Sequence, residues 1–574
     1  MMKSNWAVKN KCANKKKFKE LEAITECLML QRGIDSEEKK RVFLHPDYDK
    51  DVYDPYQLTD MDKAVNCVLR AKESGKKVCI YGDYDVDGIT STVILYDFFK
   101  EIGINCLGYL PDRNKEGYGL NEKAIDYLKK QGVEVIVTVD CGITNFAEVV
   151  YAHKKGMEVV VTDHHFVPKE LPPAVAVINP KKEGDPYPEK MLAGVGVTFK
   201  FIQAIARQIE GYNSEQLKWL LDLVAIGNVA DCVPLIGENR TLTKFGLMVL
   251  AKTRRVGLKQ LFHVGRIKMG NGELPTGDQI GFQIAPRINA AGRIDHASIA
   301  YELLIKTQKE IPEARLLALE MESKNRERQK LTEEIIKEIQ AKIDNDNLPK
   351  VIIESSPHWL PGIVGLVAGR LADQLNRPVI ILHDQGEILK GSCRSGSEFH
   401  LMKALEKLSG LLEHYGGHAQ AAGLTIKKKN LPRFEKEIIS LVEESGVLLA
   451  DKNIEIDLPI KIADITDKLV DELNMMEPFG QGNKKPKFLL ENVVIDRVVY
   501  MGNNRQHLKF FVKDEEGKNN ELEFVSFNFK NQIESLSEQS LEEGMVVNLV
   551  IVIEENNWNG SRRIQGRVID IEIC

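Results

Sequence analysis

The sequence of 574 residues has no apolar run long enough to cross a membrane and no closely spaced pair of cysteines. A membrane-spanning helix needs about 18 or more consecutive apolar residues, and no hydrophobic stretch approaches that length. The first residues, Met1-Met-Lys-Ser-Asn-Trp6, lack the apolar core of a signal peptide. The nine cysteines are scattered, which excludes a zinc ribbon and indicates no disulfide framework. We therefore expect a cytoplasmic protein.

The chain is too long for one compact core, and its length suggests three or four structural units. Its net charge of −6 does not exclude a nucleic-acid partner, because an acidic site and a basic channel can coexist in one molecule. The first twenty residues contain seven lysines. That tail is either a solvated end or a contact to a polyanion.

Four short, β-branched segments, each followed by a polar cluster, predict a parallel α/β sheet. They are apolar on both faces, as strands covered by helices on both sides are. The segments are residues 78–81, 133–139, 158–162 and 174–178.

Carboxylates follow three of these strands. Asp83, Asp85 and Asp87 alternate after the first, Asp140 follows the second, and Asp163-His-His165 follows the third. Because the carboxyl ends of parallel strands form the ligand-binding edge of a sheet, we expect these side chains to converge. Another acid, Asp231, comes at the predicted end of a buried helix. Asp with neutral His suits Mn²⁺ or Mg²⁺, so a divalent-metal site is predicted.

The two histidines, His164 and His165, are expected to differ in role. Adjacent side chains that leave a strand point to opposite sides, so only one of them should meet a given metal. We assign His164 as the ligand and His165 as a phosphate contact or an acid. The alternative for either ring is a buried histidine that donates to a backbone carbonyl.

The motifs Gly82-Asp-Tyr-Asp-Val-Asp-Gly88 and Asp163-His-His165 resemble the DHH phosphoesterase superfamily and, within it, the RecJ family of single-strand-specific DNA exonucleases. The resemblance implies two divalent ions, digestion from 5′ to 3′ to mononucleotides, and a role in DNA repair and recombination. It also implies a catalytic and metal-binding set made of Asp83, Asp85, Asp87, Asp140, His164, His165 and Asp231. In that set Asp83 is either a further ligand or a carboxylate that supports the ligands, and His165 is catalytic without being a ligand.

Other segments that share the resemblance are predicted to bind phosphate. Arg287, Asn289 and Arg293 belong to an Ala/Gly-rich stretch that we interpret as a loop, where a guanidinium can approach phosphate closely. The alternative for both arginines is a surface salt bridge. Ser392 and Arg394 in a glycine-flanked turn, together with His418, resemble the pocket that holds a terminal phosphate in the family's second domain.

The domain organisation predicted on this basis has five parts. A central helix over residues 312–343 is expected to bridge two α/β units. The parts are an N-terminal segment over 1–55, a DHH catalytic domain over 56–240, a connecting helical region over 241–345, a DHH-associated domain over 346–448 and an OB-fold domain over 449–574.

The C-terminal part alternates strands with polar turns, which predicts a small antiparallel β-barrel. Aromatic and basic residues on it could combine base stacking with backbone contacts to single-stranded DNA, or could fill the barrel core. The candidates are Phe479, Tyr500, His507, Lys509 and Trp558. By resemblance, a single-strand-binding protein or a RecQ-type helicase is a candidate partner, and we expect a monomer.

Three other functions are compatible with parts of the pattern. A small-substrate DHH phosphodiesterase, of the nano-RNase or cyclic-dinucleotide type, would share the metal ligands but would not need the barrel. An inorganic pyrophosphatase would not need a DNA-sized cleft. A non-catalytic scaffold would be expected to have lost ligands, and none is missing from this sequence.

Overall fold

The structure is a computed structural model. It describes residues 4–9, 21–113, 115–269, 274–344, 348–396, 399–446, 452–502, 507–513, 522–527, 529, 541–558 and 561–574, of which 4, 452, 557, 558 and 561 are described in their backbone only. Most of the lysine-rich tail, residues 10–20, lies outside this set.

The N-terminal segment packs onto the C-terminal unit. Leu28, Met29 and Phe43 share a buried cluster with Leu469 and Phe488. The segment contains β1 (Ser4–Val8), α1 (Ala23–Gln31), α2 (Glu37–Leu44) and α3 (Tyr48–Asp51).

The second unit is built on a sheet of five parallel strands in the order β3-β2-β4-β5-β6, which confirms the predicted parallel α/β sheet. Its elements are α4 (Met61–Glu73), β2 (Lys77–Gly82), α5 (Val86–Glu101), β3 (Cys106–Tyr109), α6 (Glu122–Lys130), β4 (Val133–Val139), α7 (Phe146–Lys154), β5 (Glu158–Thr162), β6 (Ala176–Ile178), α8 (Gly194–Ala206), α9 (Leu221–Ala230) and α10 (Gly237–Leu250). Strands β2, β4 and β5 are neighbours, so their carboxyl ends form one continuous edge.

Helices connect this unit to the next. They are α11 (Val256–Val264), α12 (Gly277–Gln279), a π-helical turn (Ile280–Ile284), α13 (Ala285–Ile294), α14 (Ser298–Ile305) and the long α15 (Ile311–Gln340). Helix α15 confirms the predicted bridging helix and ends three residues earlier than predicted. Its buried face includes Ala314, Ala318, Met321, Ile335, Ile336 and Ile339, whereas Leu316 and Leu319 are 67% and 49% exposed.

The next unit is a mixed sheet in the order β10-β11-β9-β8-β7. Only the β7–β8 pair is parallel among its described pairings. Its elements are β7 (Ile352–Ser356), α16 (Pro361–Leu375), β8 (Pro378–Asp384), β9 (Ile388–Ser395), α17 (Leu401–Lys407), β10 (Leu412–Gly417), β11 (Ala421–Lys427) and α18 (Leu431–Glu444).

The C-terminal unit contains a closed five-stranded barrel, because β14 pairs with both β15 and β17. The predicted barrel is confirmed, but the strands are not all antiparallel, since β16 and β18 pair in parallel. Its elements are β12 (Lys452–Ile456), β13 (Leu458–Pro459), α19 (Asp467–Met475), β14 (Phe488–Met501), β15 (His507–Lys513), β16 (Leu522–Ser526), β17 (Val546–Trp558) and β18 (Ser561–Ile573).

Two further observations concern membrane-spanning helices and the state of the cysteines. Among the described residues, no helix combines the length and the apolar character needed to cross a bilayer. Seven described cysteines are free, whereas Cys27 is disulfide-bonded, a bond that the spacing of the cysteines did not indicate.

Candidate active site

The ends of three neighbouring strands bring acids and histidines to one edge of the parallel sheet, as predicted. Asp83 follows β2, Asp140 follows β4, and Asp163 and His164 follow β5. Asp83, Asp140 and His164 are all buried. Residues that are 24 to 81 positions apart in sequence therefore lie in one cluster.

Asp85 and Asp87 are oriented by main-chain N–H groups. Asp85 is the N-cap of α5, and its carboxylate accepts from the N–H of Asp87 at 2.9 Å and of Gly88 at 3.1 Å. The Asp87 carboxylate accepts from the N–H of Gly194 at 2.6 Å and of Val195 at 2.8 Å, at the start of α8. Free N–H groups at a helix start favour an ionised carboxylate.

His164 lies at the centre of the cluster. Its Nε2 atom is 3.1 Å from Asp140 Oδ1 and 3.7 Å from Oδ2 of both Asp87 and Asp231. Three groups of three residues have ligand atoms close enough to share an ion, within 4.8 Å of one another. They are Asp87, His164 and Asp231; Asp83, Asp85 and Asp140; and Asp140, His164 and His165.

Several buried atoms of this cluster have no hydrogen-bond partner within the described chain. They are Asp83 Oδ1, Asp140 Oδ1 and His164 Nε2. A buried polar atom without a partner is costly, and these three belong to the residue types that coordinate Mn²⁺ or Mg²⁺. The residues therefore fit a divalent ion.

The protonation equilibria also favour a cation here. Burial and the repulsion of neighbouring carboxylates raise the pKa values of Asp83, Asp87 and Asp140, and they raise the pKa of Asp231 to about 7. Burial and the adjacent His165 lower the pKa of His164 to about 3. His164 is therefore neutral and able to ligate, and a bound cation would relieve the repulsion among the acids.

His165 differs from its sequence neighbour, although not in the way predicted. The two rings do not point to opposite sides, since their centroids are 4.4 Å apart, because the chain has already left the strand at this point. His165 Nδ1 is 2.8 Å from Asp163 Oδ1 and 3.1 Å from the Tyr118 hydroxyl. Burial opposes its protonation, but the Asp163 contact prevails and raises the pKa of His165 to about 9. His165 is therefore a cation beside the acids.

The carboxylate of Asp163 makes its hydrogen bonds to groups of the protein. It accepts from the main-chain N–H of Ile143 at 2.9 Å and of His164 at 2.7 Å, besides its contact with His165. Asp163 thus orients the two histidines.

Asp140 is held by an unusual backbone conformation. Its φ of 60° is left-handed, a region that residues other than glycine rarely adopt. An ideal Cβ built on Gly194 would lie 2.5 Å from Asp140 Oδ1, so only glycine fits opposite this carboxylate. Strained residues of this kind persist where the surrounding structure fixes them, and they cluster at functional sites.

The predicted phosphate contacts lie on regular elements, which corrects two expectations. Arg293 lies on helix α13, where a loop was expected, and its Nη1 donates to the carbonyl of Gly362 at 3.2 Å. Ser392 and Arg394 lie on strand β9, where a turn was expected. The Arg394 Nη1 donates to Ser392 Oγ at 2.6 Å. The small residues of both motifs do not form a loop; they allow other parts of the chain to pack closely against the helix and the strand. A Cβ on Gly292, for example, would lie 2.9 Å from the carbonyl oxygen of Tyr84.

Two arginines that the sequence analysis missed join Arg293 and Arg394 in one basic cluster. Burial and the charges of Arg113 and Arg328 lower the pKa of Arg293 to about 9, and burial and Arg113 also lower the pKa of Arg394. Arg113 stacks over the ring of Tyr84, 4.9 Å from its centroid. Tyr84 is the residue between Asp83 and Asp85 in the sequence. Arg113 follows β3 at the same sheet edge as the acids, which is a signal that could have identified it.

The other three predicted phosphate contacts, Arg287, Asn289 and His418, do not join this arginine cluster. All three guanidinium nitrogens of Arg287 donate to protein acceptors, including Glu322 at 2.8 Å, which favours the alternative of a salt bridge. Asn289 lies half-buried one turn before Arg293 on α13. His418 is exposed after β10 and, within the described chain, makes no side-chain hydrogen bond to Ser392 or Arg394. Substrate roles for these three residues stay predictions.

The candidate DNA contacts of the C-terminal unit differ in burial and in the partners that they already have. Lys509 forms an ion pair of 2.6 Å with Glu523, and Tyr500 is half-buried against the Phe529 ring at 5.8 Å. Phe479 packs partly buried on the barrel core, while His507 lies at the barrel surface beside Phe527. The side chain of Trp558 lies outside the described set.

Two exposed aromatic residues near the acids were also missed. Phe166 directly follows His165 and is 80% exposed, and Phe282 is 79% exposed. Phe282 belongs to the π-helical turn, whose Gly281 lies against Val229, two residues before Asp231. Exposed aromatic rings are surfaces on which unpaired bases can stack.

Family models match three parts of the chain. The DHH family N-terminal domain matches residues 77–228, the DHHA1 domain residues 348–444, and the RecJ OB domain residues 456–570. These matches follow the order of the units described above.

Relatives and solved structures match most of the chain. The single-stranded-DNA-specific exonuclease RecJ of Bacillus subtilis (strain 168) is 36% identical over 95% of this chain and 67% of its own length. The Escherichia coli (strain K12) protein of the same name is 33% identical over 89% of each chain. The RecJ structure from Thermus thermophilus in complex with Mn²⁺ superposes with a TM-score of 0.82 and 27% identity, covering 99% of this chain and 79% of that one. Its Mg²⁺ complex gives a TM-score of 0.77.

Proposed function

This chain belongs to the RecJ family, and on that premise we propose that it is a metal-dependent exonuclease specific for single-stranded DNA. The observation that carries the proposal is the convergence of five acids and His164 beside an arginine cluster, in a chain that also contains the barrel. The small-substrate alternatives account for the acids and leave the barrel without a role. A RecJ relative that aligns over 89% of this chain supports the polymer substrate.

The metal ligands we propose are Asp85, Asp87, Asp140, His164 and Asp231, with Asp83 as a sixth ligand or a supporting carboxylate. The support is their shared cluster and the buried atoms that lack a protein partner. Two groups of ligand atoms that share no residue, Asp87 with His164 and Asp231 and Asp83 with Asp85 and Asp140, favour two ion positions. Divalent ions held there would neutralise charge on the scissile phosphate and activate the attacking water.

The protein's own groups prepare this site before substrate arrives. Main-chain N–H groups fix the carboxylates of Asp85 and Asp87, so little reorganisation is needed when ligands bind. His164 is neutral and offers a lone pair. We assign to His165, cationic through Asp163, the role of donating to a phosphate oxygen.

The arginine cluster gives the proposed enzyme its end preference. Arg113, Arg293 and Arg394, with Ser392, offer donors that an anionic terminal phosphate would satisfy, and Arg328 adds positive charge. A pocket that requires a chain end makes a nuclease an exonuclease. Digestion from the 5′ end to mononucleotides is the direction implied by the family resemblance, and it remains a prediction.

Selectivity for single strands is proposed on two features. Phe166 and Phe282 expose their rings near the metal ligands, where unpaired bases could stack. The barrel then guides the rest of the strand, with His507 and Tyr500 as candidate contacts and Lys509 as a weaker one because of its ion pair. A cytoplasmic location, a role in repair and recombination, a monomeric state, and partners such as a single-strand-binding protein or a RecQ-type helicase stay predictions.

One experiment tests the proposal directly. The purified protein is incubated with Mn²⁺ and a 5′-phosphorylated single strand labelled at either end, with blunt duplex and an Asp140→Ala variant alongside. Mononucleotide release that begins at the 5′ end and is absent from duplex and variant is expected. Turnover of dinucleotides or pyrophosphate with no digestion of DNA would instead favour the small-substrate alternatives.

A further inference from the structure

A short segment in front of the barrel packs against the turn that carries Asp231. This entry segment, residues 477–483, has the sequence Glu-Pro-Phe-Gly-Gln-Gly-Asn. The main-chain N–H of Leu235 donates to the carbonyl of Gln481 at 2.7 Å. An ideal Cβ on Gly482, whose φ is +74°, would lie 3.0 Å from Pro234 Cβ. The entry segment therefore contacts residues only three and four positions beyond Asp231.

Asp231 is held less directly than Asp85 and Asp87. Asp85 and Asp87 each accept two main-chain N–H groups, whereas within the described residues no N–H donates to the Asp231 carboxylate. Its Oδ2 atom lies 3.7 Å from Nε2 of the neutral His164. The position of this carboxylate is therefore set by the backbone of its turn.

That backbone is strained. Cys232, the residue after Asp231, has a φ of 56°, in the left-handed region that a residue with a Cβ rarely adopts. Such a conformation persists only where its surroundings fix it. Helix α9 fixes one side of the turn, where the Asp231 N–H donates to the Gly227 carbonyl at 2.9 Å. The entry segment contacts the other side.

The entry segment is itself rigidly anchored. Arg240 on α10 is buried and donates from Nη2 to the Glu477 carbonyl at 2.8 Å and from Nη1 to that of Pro478 at 3.3 Å, while its Nε reaches the Phe43 carbonyl at 2.7 Å. The buried Asn483 side chain donates to the Pro478 carbonyl at 3.0 Å. The segment can therefore transmit a fixed position to the turn.

We propose that the entry segment is a positioning element for the metal centre, which holds Asp231 at the distance from Asp87 and His164 that a divalent ion requires. This inference rests on the proposed assignment of Asp231 as a metal ligand. The C-terminal unit then contributes to metal affinity as well as to strand binding.

The test compares Gly482→Ala with Gly544→Ala in the full chain. Both glycines have positive φ, of +74° and +86°, so each alanine strains the backbone, but a Cβ at Gly544 meets nothing within 4 Å. Only Gly482→Ala pushes on Pro234. Mn²⁺ binding is measured without DNA, from the electron paramagnetic resonance signal of free Mn²⁺. We expect Gly482→Ala to weaken Mn²⁺ binding on the order of 10-fold, with Gly544→Ala at the wild-type value.

Activity measurements give a second readout. For Gly482→Ala, kcat should fall at subsaturating Mn²⁺ and recover at saturation, while KM for the strand stays constant. A loss limited to strand binding would instead raise KM and leave the Mn²⁺ titration unchanged. If Gly482→Ala does not fold, Gly480→Ala decides by the same readouts, since its Cβ would meet the Leu235 side chain and no backbone atom, at 2.7 Å from Cδ1 and 3.4 Å from Cγ.

An Asp231→Asn variant separates two ways of being wrong. If it loses Mn²⁺ affinity while folded Gly482→Ala binds Mn²⁺ as tightly as Gly544→Ala, the positioning role is overturned and the ligand assignment stands. If Asp231→Asn binds Mn²⁺ like the wild type, the ligand assignment fails and the inference fails with it.

Discussion

The acid cluster and the arginine cluster are two neighbouring regions of the molecule that concentrate charge of opposite sign. The acids are preset by main-chain N–H groups at helix starts, as for Asp85 and Asp87. The arginines are held by neutral acceptors, such as the Gly362 carbonyl for Arg293 and the Ser392 hydroxyl for Arg394. Each region therefore has charge that the protein does not neutralise.

The difference between the two regions indicates what each one binds. Buried carboxylates with raised pKa values require a cation, and buried guanidinium groups with lowered pKa values require an anion. A phosphodiester chain on divalent ions supplies both. The cluster of acids should therefore control the chemical step, and the cluster of arginines should control which end of the substrate enters.

The largest effect should come from breaking the acid cluster. Asp140→Asn removes a ligand and is expected to lower kcat by at least about 100-fold, because a preorganised charge at the reacting centre is lost. Release of mononucleotides from a labelled strand measures this. In metal-free buffer the same variant should raise the melting temperature, since burial and neighbouring acids disfavour the charged Asp140.

Asp126→Asn provides the control, because that exposed carboxylate pairs with Lys155 away from the cluster. It should leave kcat unchanged. An Asp140→Asn enzyme with nearly normal kcat would show that the acid cluster is not the chemical centre.

A smaller effect should come from the arginine cluster. Arg394→Ala is expected to raise KM for a 5′-phosphorylated strand about 10- to 100-fold, since a hydrogen bond to a charged group is worth about 1.5–3 kcal/mol. The preference over a 5′-hydroxyl strand should disappear, and initial rates on both strands measure it. Arg287→Ala, which breaks the pair with Glu322, should lower the melting temperature with little change in KM. Equal KM effects in the two variants would contradict this distinction.

The effect of metal removal on the melting temperature should depend on pH, and this dependence tests the acid cluster separately from the arginine cluster. The pKa of Asp231 is raised to about 7 in the metal-free fold, so the folded chain holds a proton that the unfolded chain has already released. Stability from this group is present at low pH and is lost as the pH rises through about 7. Chelation should therefore lower the melting temperature more at about pH 8 than at about pH 6. A chelation effect that shrinks as the pH rises would contradict the assignment.

The smallest effect should come from the barrel. Lys509 already pairs with Glu523, so the protein itself largely neutralises its charge, and Lys509→Ala should change KM by less than about fivefold. Strand-length dependence of KM measures this. A larger change would mean that Lys509 leaves Glu523 to contact DNA.

The predictions from sequence succeeded where the signal was local. The strand over residues 133–139 and the long helix were predicted nearly to the residue, because periodicity and the distribution of glycine and proline fix such elements. The predictions failed for α13 and β9, where small residues were interpreted as loop formers. Those residues are small because other chain segments pack on them: Gly292 lies against the Tyr84 carbonyl, and a Cβ on Gly391 would lie 2.0 Å from the Ile381 carbonyl oxygen.

The sequence by itself determined the acids, because a strand that ends in carboxylates delivers them to the edge of a parallel sheet whatever the rest of the chain does. Tertiary structure alone decided which basic residues face those acids. Arg113, Arg293, Arg328 and Arg394 come from a loop, two helices and a strand, and no sequence spacing relates them. Tertiary structure also decided that Arg287 pairs with Glu322 and that His165 is charged, because both depend on neighbours that only the folded chain supplies.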